Sequence, residues 1–146
     1  DLAGNARARG RLDGVAEAAH AAGLEAPAVS VQPFSIAGGR AGLADLLARD
    51  AGITAVLCAT DLMAAGALAE ARDRGTPVPQ ALSITGFDDI DLAAATTPRL
   101  TTVRVPITDM ASAAAETLFA LIAGGEQGVS LVLPTELILR ETTAEA

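Results

Sequence analysis

Lysine, tryptophan and tyrosine are missing from this 146-residue chain, histidine and cysteine occur once each, and the only aromatic residues are three Phe. Without lysine there is no Schiff-base chemistry, no P-loop lysine, and no conserved lysine of a receiver-type phosphoacceptor domain. Cys58 alone supports neither an internal disulfide nor a thiolate metal cluster, and such sparing use of cysteine suits a reducing cytoplasm. Basic excess is missing as well. Ten cations, all Arg, face 18 carboxylates for a net charge of −8, so the chain lacks the electrostatic footprint of a nucleic-acid binder. Long apolar runs are absent: uncharged stretches are broken by Pro and Gly before reaching the 18 or so residues of a membrane span. No signal-peptide pattern opens the chain. A mean hydropathy of +0.40 argues against disorder.

What is present is aliphatic. Hydrophobic residues make up 51% of the chain, and with so few rings the core must be built from Ala and other thin side chains over closely packed helices. Residues 28–32, 54–59 and 82–87 read as strands. The second is a nearly continuous apolar run, as expected of a strand buried on both faces. Between them lie segments of helical period. One carries Leu12, Val15, Ala16, Ala19 and Ala22, with Gly23 to end it. A second runs from about Gly39 to Asp50 with Leu43, Leu46 and Leu47 inward. A third starts at Asp61 as N-cap and places Met63, Ala64, Ala67, Leu68 and Ala71 on one stripe. Gly66 inside it predicts close approach of helix to sheet. Alternation of this kind predicts an α/β fold with a doubly wound parallel sheet.

After Phe87 the rhythm changes. One short helix falls between Asp88 and Thr97, residues 100–103 form a short strand, and Thr108 caps a helix whose stripe is Met110, Ala113, Ala114, Thr117, Leu118, Leu121 and Ile122. Gly124 and Gly125 stop it. Two short strands, 130–133 and 136–139, flank Pro134. This is the pattern of a chain that leaves one sheet and joins another.

Ligands of open parallel sheets sit beyond the carboxyl ends of the strands. Those ends lead here into Pro33-Phe34-Ser35, Thr60-Asp61 and Phe87-Asp88-Asp89. An aromatic face, a hydroxyl and several carboxylates suit a neutral polyol, with a ring to stack on and acceptors for vicinal hydroxyls. Asp61 and Asp89 are each most simply explained by helix capping, and Phe34 is explained as well by the core. Asp88 is the better ligand, since two adjacent acids exceed what one cap needs. Arg7 and Arg9 read as a solvated patch. Arg11 lies near the amino end of a helix following the first strand, where its planar donor fork reaches the same edge. His20 reads as a surface residue, Cys58 as a small buried hydrophobe, and Met63 and Met110 as core. Enzyme templates fail: there is no Gly-x-Gly-x-x-Gly after a strand, no Gly-x-Ser-x-Gly and no His-Glu-x-x-His. No catalysis, cofactor or metal is expected.

Several ordered motifs carry a family resemblance. Thr60-Asp61-Leu62-Met63-Ala64-Ala65-Gly66 resembles the Asn-Asp-x-x-Ala-x-Gly segment of LacI/GalR-family transcriptional regulators. Val78-Pro79, followed by Ser83-Ile84-Thr85-Gly86-Phe87-Asp88-Asp89, is similar to their Val-Pro…Ser-Val-x-Gly-Phe/Tyr-Asp-Asp motif. Pro98-Arg99-Leu100-Thr101-Thr102-Val103, Pro134-Thr135-Glu136-Leu137-Ile138-Leu139-Arg140-Glu141-Thr142-Thr143 and Arg11-Leu12-Asp13-Gly14-Val15 match further segments in the family's order. Thr60 stands where the family commonly has Asn, and Val105 where a polar residue is often found.

The resemblance implies the C-terminal half of a two-lobed effector domain related to periplasmic sugar-binding proteins. On it, Arg11, Phe34, Thr60 and Asp88 face the interlobe cleft and hold a sugar-like effector, with Asp61 mainly structural. Residues 1–103 would form the C-terminal lobe, 104–133 a crossover and helix associated with the N-terminal lobe, and 134–146 the return and tail. A cytoplasmic homodimer is implied, with operator DNA bound only through a helix-turn-helix headpiece outside this chain and no membrane partner. The strand expected before Arg11 would survive only in residues 1–4, as in a fragment of a longer protein. A periplasmic sugar-binding protein of a transport system shares the fold and is the alternative.

Overall fold

The computed structural model describes residues 5–125 and 130–144. The elements in chain order are α1 (Ala6–Ala21), α2 (Ile36–Arg49), β1 (Ala55–Leu57), α3 (Asp61–Asp73), β2 (Ser83–Thr85), α4 (Asp91–Ala95), β3 (Thr102–Arg104), α5 (Ile107–Ile122) and β4 (Glu136–Ile138). β1 and β2 are parallel, with Val56 opposite Ile84, and α3 makes the crossover between them. Parallel bridges Thr85–Thr101 and Asp88–Arg104 set the next segment beside β2, and β4 closes the edge antiparallel to β3. The expected α/β architecture with a parallel sheet is present.

The core lies between α3, the β1–β2 pair and the segment at Leu100. It consists of Leu43, Val56, Ala64, Ala67, Leu68, Ala71, Leu82, Ile84, Ala93 and Leu100. Four of these ten are Ala, so the layers must approach closely to leave no voids. Glycine makes that possible at one crossing in particular. A Cβ on Gly66 would stand 2.0 Å from the Ile36 carbonyl oxygen, and one on Gly39 1.9 Å from that of Met63. Gly66 therefore admits another helix, α2, and not the sheet as its place inside the helix suggested.

Other expectations are corrected by local geometry. Residues 28–32 form no strand among the described residues; Val31 is 54% exposed, and the Val29 carbonyl accepts from Arg49 Nη2 at 2.9 Å, so extended propensity finds no ladder there. β1 is covered on one face only: Val56 is buried while Leu57 is 59% exposed. α2 begins at Ile36, three residues early, because the Ser35 hydroxyl accepts from the Gly38 N–H at 3.0 Å. α3 is capped by Thr60 and not by Asp61. α5 has no side-chain cap bond, with Pro106 and not Thr108 at its N-cap. Residues 130–133 are not a strand. Met110 is half-exposed instead of core, and α5 as a whole buries no residue. The strand remnant expected at residues 1–4 lies outside the described residues.

The return segment is locked by threonines. The Thr101 N–H donates to Thr142 Oγ1 at 2.9 Å, the Thr101 and Thr143 hydroxyls are 3.0 Å apart, and the Ile84 N–H donates to the Thr142 carbonyl at 2.8 Å. The Arg140 N–H reaches Thr101 Oγ1 at 2.9 Å, and the Arg99 N–H reaches Glu141 at 2.9 Å. Two motifs some forty residues apart in sequence are thus the halves of one interlock.

Candidate functional site

Three chain segments meet at the carboxyl edge of the sheet: the start of α1, residues 59–61, and the turn after β2. Arg11, in the second turn of α1, donates through Nη1 to the Ala59 carbonyl. Its Nη2 lies 3.3 Å from Asp88 Oδ1, and its guanidinium stacks 3.7 Å from the centroid of the Phe87 ring. Both side chains of the pair are part-exposed, 25% and 32%. Solvent screening therefore holds the ion pair to about 0–1 kcal/mol, and the ring contact adds about 0.5–1 kcal/mol. The value of the arrangement lies in placement. A planar cation is fixed flat against a ring, with donors left over, beside a carboxylate with one oxygen that no described residue engages.

Thr60 follows Ala59 directly. Its Oγ1 accepts the Met63 N–H at 3.3 Å, which leaves its hydroxyl proton free to donate. Asp61 is the first helical residue, and its carboxylate turns inward. It accepts from the Ile90 N–H at 2.9 Å and the Thr102 hydroxyl at 2.5 Å, while its own N–H donates to the Phe87 carbonyl at 2.9 Å. Fully buried, Asp61 clasps both ends of the turn that carries Asp88. Burial pushes its pKa up; the bonds from Thr102 and Ile90 work against this, while the nearby Asp88 and Asp89 charges add to it.

The turn itself is strained. Asp88 has φ of 111° and Asp89 φ of 53°, each costing about 1–3 kcal/mol and persisting only because the surroundings impose it. Asp89 was expected to serve as a possible helix cap. α4 instead has Ile90 at its N-cap without a side-chain bond, and Asp89 holds Arg140 Nη2 at 2.6 Å and Arg104 Nε at 2.8 Å. Burial alone would raise Asp89, but hydrogen bonds and charge from Arg140 and Arg104 prevail, and its pKa lies below the usual carboxylate range. A group lowered in this way lends stability above the ordinary carboxylate pKa and loses it as pH falls through the folded value. Asp89→Asn is therefore expected to flatten the acid limb of the stability profile, read by urea midpoints between pH 3 and 7. An acid limb identical to that of the parent would contradict the pairing.

Phe34 is placed by a different element. It precedes the Ser35 cap of α2 and leaves 47% of its surface exposed. Gly39 and Met63, in contact across the helix pair, lie in the first turns of α2 and α3, so the lead-ins carrying Phe34 and Thr60 share one end of that pair. Of the four expected site residues, then, Arg11 and Asp88 are in direct contact and Thr60 adjoins the carbonyl that Arg11 holds. Phe34 supplies a half-open ring. A groove of about 580 Å³ runs from Asp88 past Arg104 and Val105 to Ile107, Asp109 and Glu136, and of the four only Asp88 lines it. Sequence reasoning missed Phe87 as the platform under Arg11 and Asp89 as a bridge. An aromatic beside an acid pair was the only available signal.

Cys58 sits against the core beneath this edge, and burial, with the Asp61 charge, pushes its thiol up to about 12. It is no nucleophile at neutral pH. Among the described residues no group of three His, Cys, Asp or Glu side chains could hold a metal ion, and no helix is long and apolar enough to cross a membrane.

Comparison with known proteins places this geometry. Residues 2–143 match the model of the periplasmic binding protein-like domain. The chain is 45% identical over 114 residues to the HTH-type transcriptional regulator MalR of Streptomyces coelicolor, covering 77% of this chain and 33% of that protein. The transcription regulator GntR of Chromobacterium violaceum superposes with a TM-score of 0.88 at 36% identity, covering 95% of this chain and 53% of that one. The transcriptional regulator CelR, in complex with cellobiose, superposes at 0.87 with 37% identity, covering 90% and 41%. The chain spans about a third of the curated relative, about half of one solved structure and about two fifths of the other. The chain therefore belongs to the periplasmic binding protein-like domain family, and the proteins it resembles here are transcriptional regulators.

Proposed function

We propose that the chain supplies one wall of the effector site of a transcriptional regulator, and that the effector is a sugar or similar polyol. The single observation that carries this is the Arg11–Asp88 pair laid over Phe87 at the open edge of the sheet. It offers fixed donors and an acceptor oxygen for ring hydroxyls, while Thr60 can donate and Phe34 can cover an apolar ring face. The cellobiose bound by CelR is of this chemical class. Regulator relatives favour this reading over a transport protein, and none of the relatives named above is an enzyme.

Residues 104–133 are read as the crossing to a second lobe, supported by α5, whose Ile107, Leu118, Phe119 and Ile122 are all more than half exposed. A homodimer in the cytoplasm, with operator DNA bound through a headpiece outside these residues, completes the proposal. Effector control then requires different affinity for two lobe arrangements.

Calorimetry on the protein as encoded, against cellobiose, maltose and galactose, tests the site. Each hydrogen bond to a charged group is worth about 1.5–3 kcal/mol, so Arg11→Ala and Asp88→Ala should each weaken binding by roughly 10- to 100-fold. Unchanged affinity in both variants would sink the assignment.

A further inference from the structure

Besides the Arg11–Asp88 pair and the Asp61 carboxylate at Ile90, charged side chains among the described residues hold the effector turn at Asp89. The Asp89 carboxylate, 6% exposed, is shared between Arg140 and Arg104. Arg104 ends β3, the strand leading toward α5. Arg140 follows β4, the strand coming back, and is itself held by Nη1 to the Leu100 carbonyl at 2.8 Å. We infer that Asp89 is a positioning residue for effector binding: clamped by the two guanidiniums, it holds the left-handed turn that aims Asp88 at Arg11. This rests on the effector-site reading above.

Two hydrogen bonds secure the flanks of the turn. The Asp88 N–H donates to the Val103 carbonyl at 2.9 Å, and the Ile90 N–H donates to Asp61. Between them lie two consecutive non-glycine residues with positive φ, a combination that L-residues avoid unless the surroundings impose it. Asp89 is the only one of the two whose side chain is fastened to the rest of the fold on both of its oxygens. Asn tolerates positive φ at least as well as Asp, so Asp89→Asn keeps the backbone preference. It removes the charge and one acceptor, and turns an amide NH₂ toward a guanidinium. The substitution therefore tests the clamp and not the turn propensity.

The experiment uses the protein as encoded, with cellobiose as the probe, and NMR of the Arg11 side chain, whose protons are expected to be shifted upfield by the Phe87 ring, 3.7 Å from the guanidinium carbon. Asp89→Asn is expected to weaken cellobiose at least tenfold and to move the Arg11 signals toward their free-arginine positions. A merely structural residue would lower the unfolding midpoint and leave both readouts alone, and that result overturns the proposal. If the parent protein binds none of cellobiose, maltose and galactose, the sugar reading fails separately, and Arg11 signals unmoved by Asp89→Asn then decide against the clamp. Should Asp89→Asn not fold, Arg104→Gln, at a half-exposed position, takes its place. A threefold weakening with a smaller Arg11 shift supports the clamp, and no change refutes it.

Discussion

Gly66→Ala is expected to destabilise the protein by about 2 kcal/mol net, although alanine is the better helix former. The substitution gains about 1 kcal/mol of helix propensity. Against this, the new Cβ would stand 2.0 Å from the Ile36 carbonyl oxygen and 2.9 Å from the Arg40 amide nitrogen. Both are backbone atoms, so no rotamer change relieves the clash and α2 must move bodily, which places the cost at the upper end of the overpacking range, about 3 kcal/mol. The sign of the result is what matters. An increase in the urea midpoint would mean that α2 and α3 do not touch backbone to backbone. Gly39→Ala should behave alike, its Cβ falling 1.9 Å from the Met63 carbonyl oxygen. The double variant should cost less than the sum, because one widening of the same crossing accommodates both.

Asp61→Ala is expected to cost about 3 kcal/mol. It strands the part-buried Ile90 N–H and the buried Thr102 hydroxyl, a buried unpaired group costing about 1–3 kcal/mol and a part-buried one less. Losing the burden of a buried carboxylate offsets part of this. Asp61→Asn keeps an acceptor and isolates the charge. Because burial raises the Asp61 pKa, the folded protein retains this proton at a pH where the unfolded chain has released it. Stability from this group is complete below the ordinary carboxylate pKa and declines as pH rises through the raised value. The advantage of the parent over Asp61→Asn should therefore be greatest in acid and shrink toward neutrality. A difference independent of pH across that window would show that Asp61 is not a burial-raised carboxylate.

These residues mark how far the sequence could be read. The helical stripes of α2 and α3 and the strands around Val56 and Ile84 were legible because apolar period is a local property, and one buried face imposes it. Arg11 and Asp88 were legible only as neighbours at the same edge of an α/β sheet; their direct contact was not. Thr60 and Asp61 were not separable: either side chain can cap a helix, and the choice depends on whether a buried partner waits for the second. Ile90 and Thr102 decide it, and they lie 29 and 41 residues away. The strand expected at residues 28–32 failed for a related reason. β propensity offers a strand, but a ladder needs a neighbour, which no local pattern can supply.

By itself, the chain's composition settled what its chemistry lacks: without lysine, with one thiol and with a net charge of −8, it has neither lysine chemistry nor the basic excess typical of a nucleic-acid binder. Its periodicity settled the α/β order, since burial of one face repeats along the chain. The tertiary structure alone decided which polar residues serve the fold and which remain open. Asp61, Asp89, Thr101 and Thr142 are spent on partners distant in sequence, whereas Arg11 and Asp88 keep donors and an acceptor facing outward. That division depends on through-space distances of about 3 Å between segments, which hydropathy and spacing do not encode.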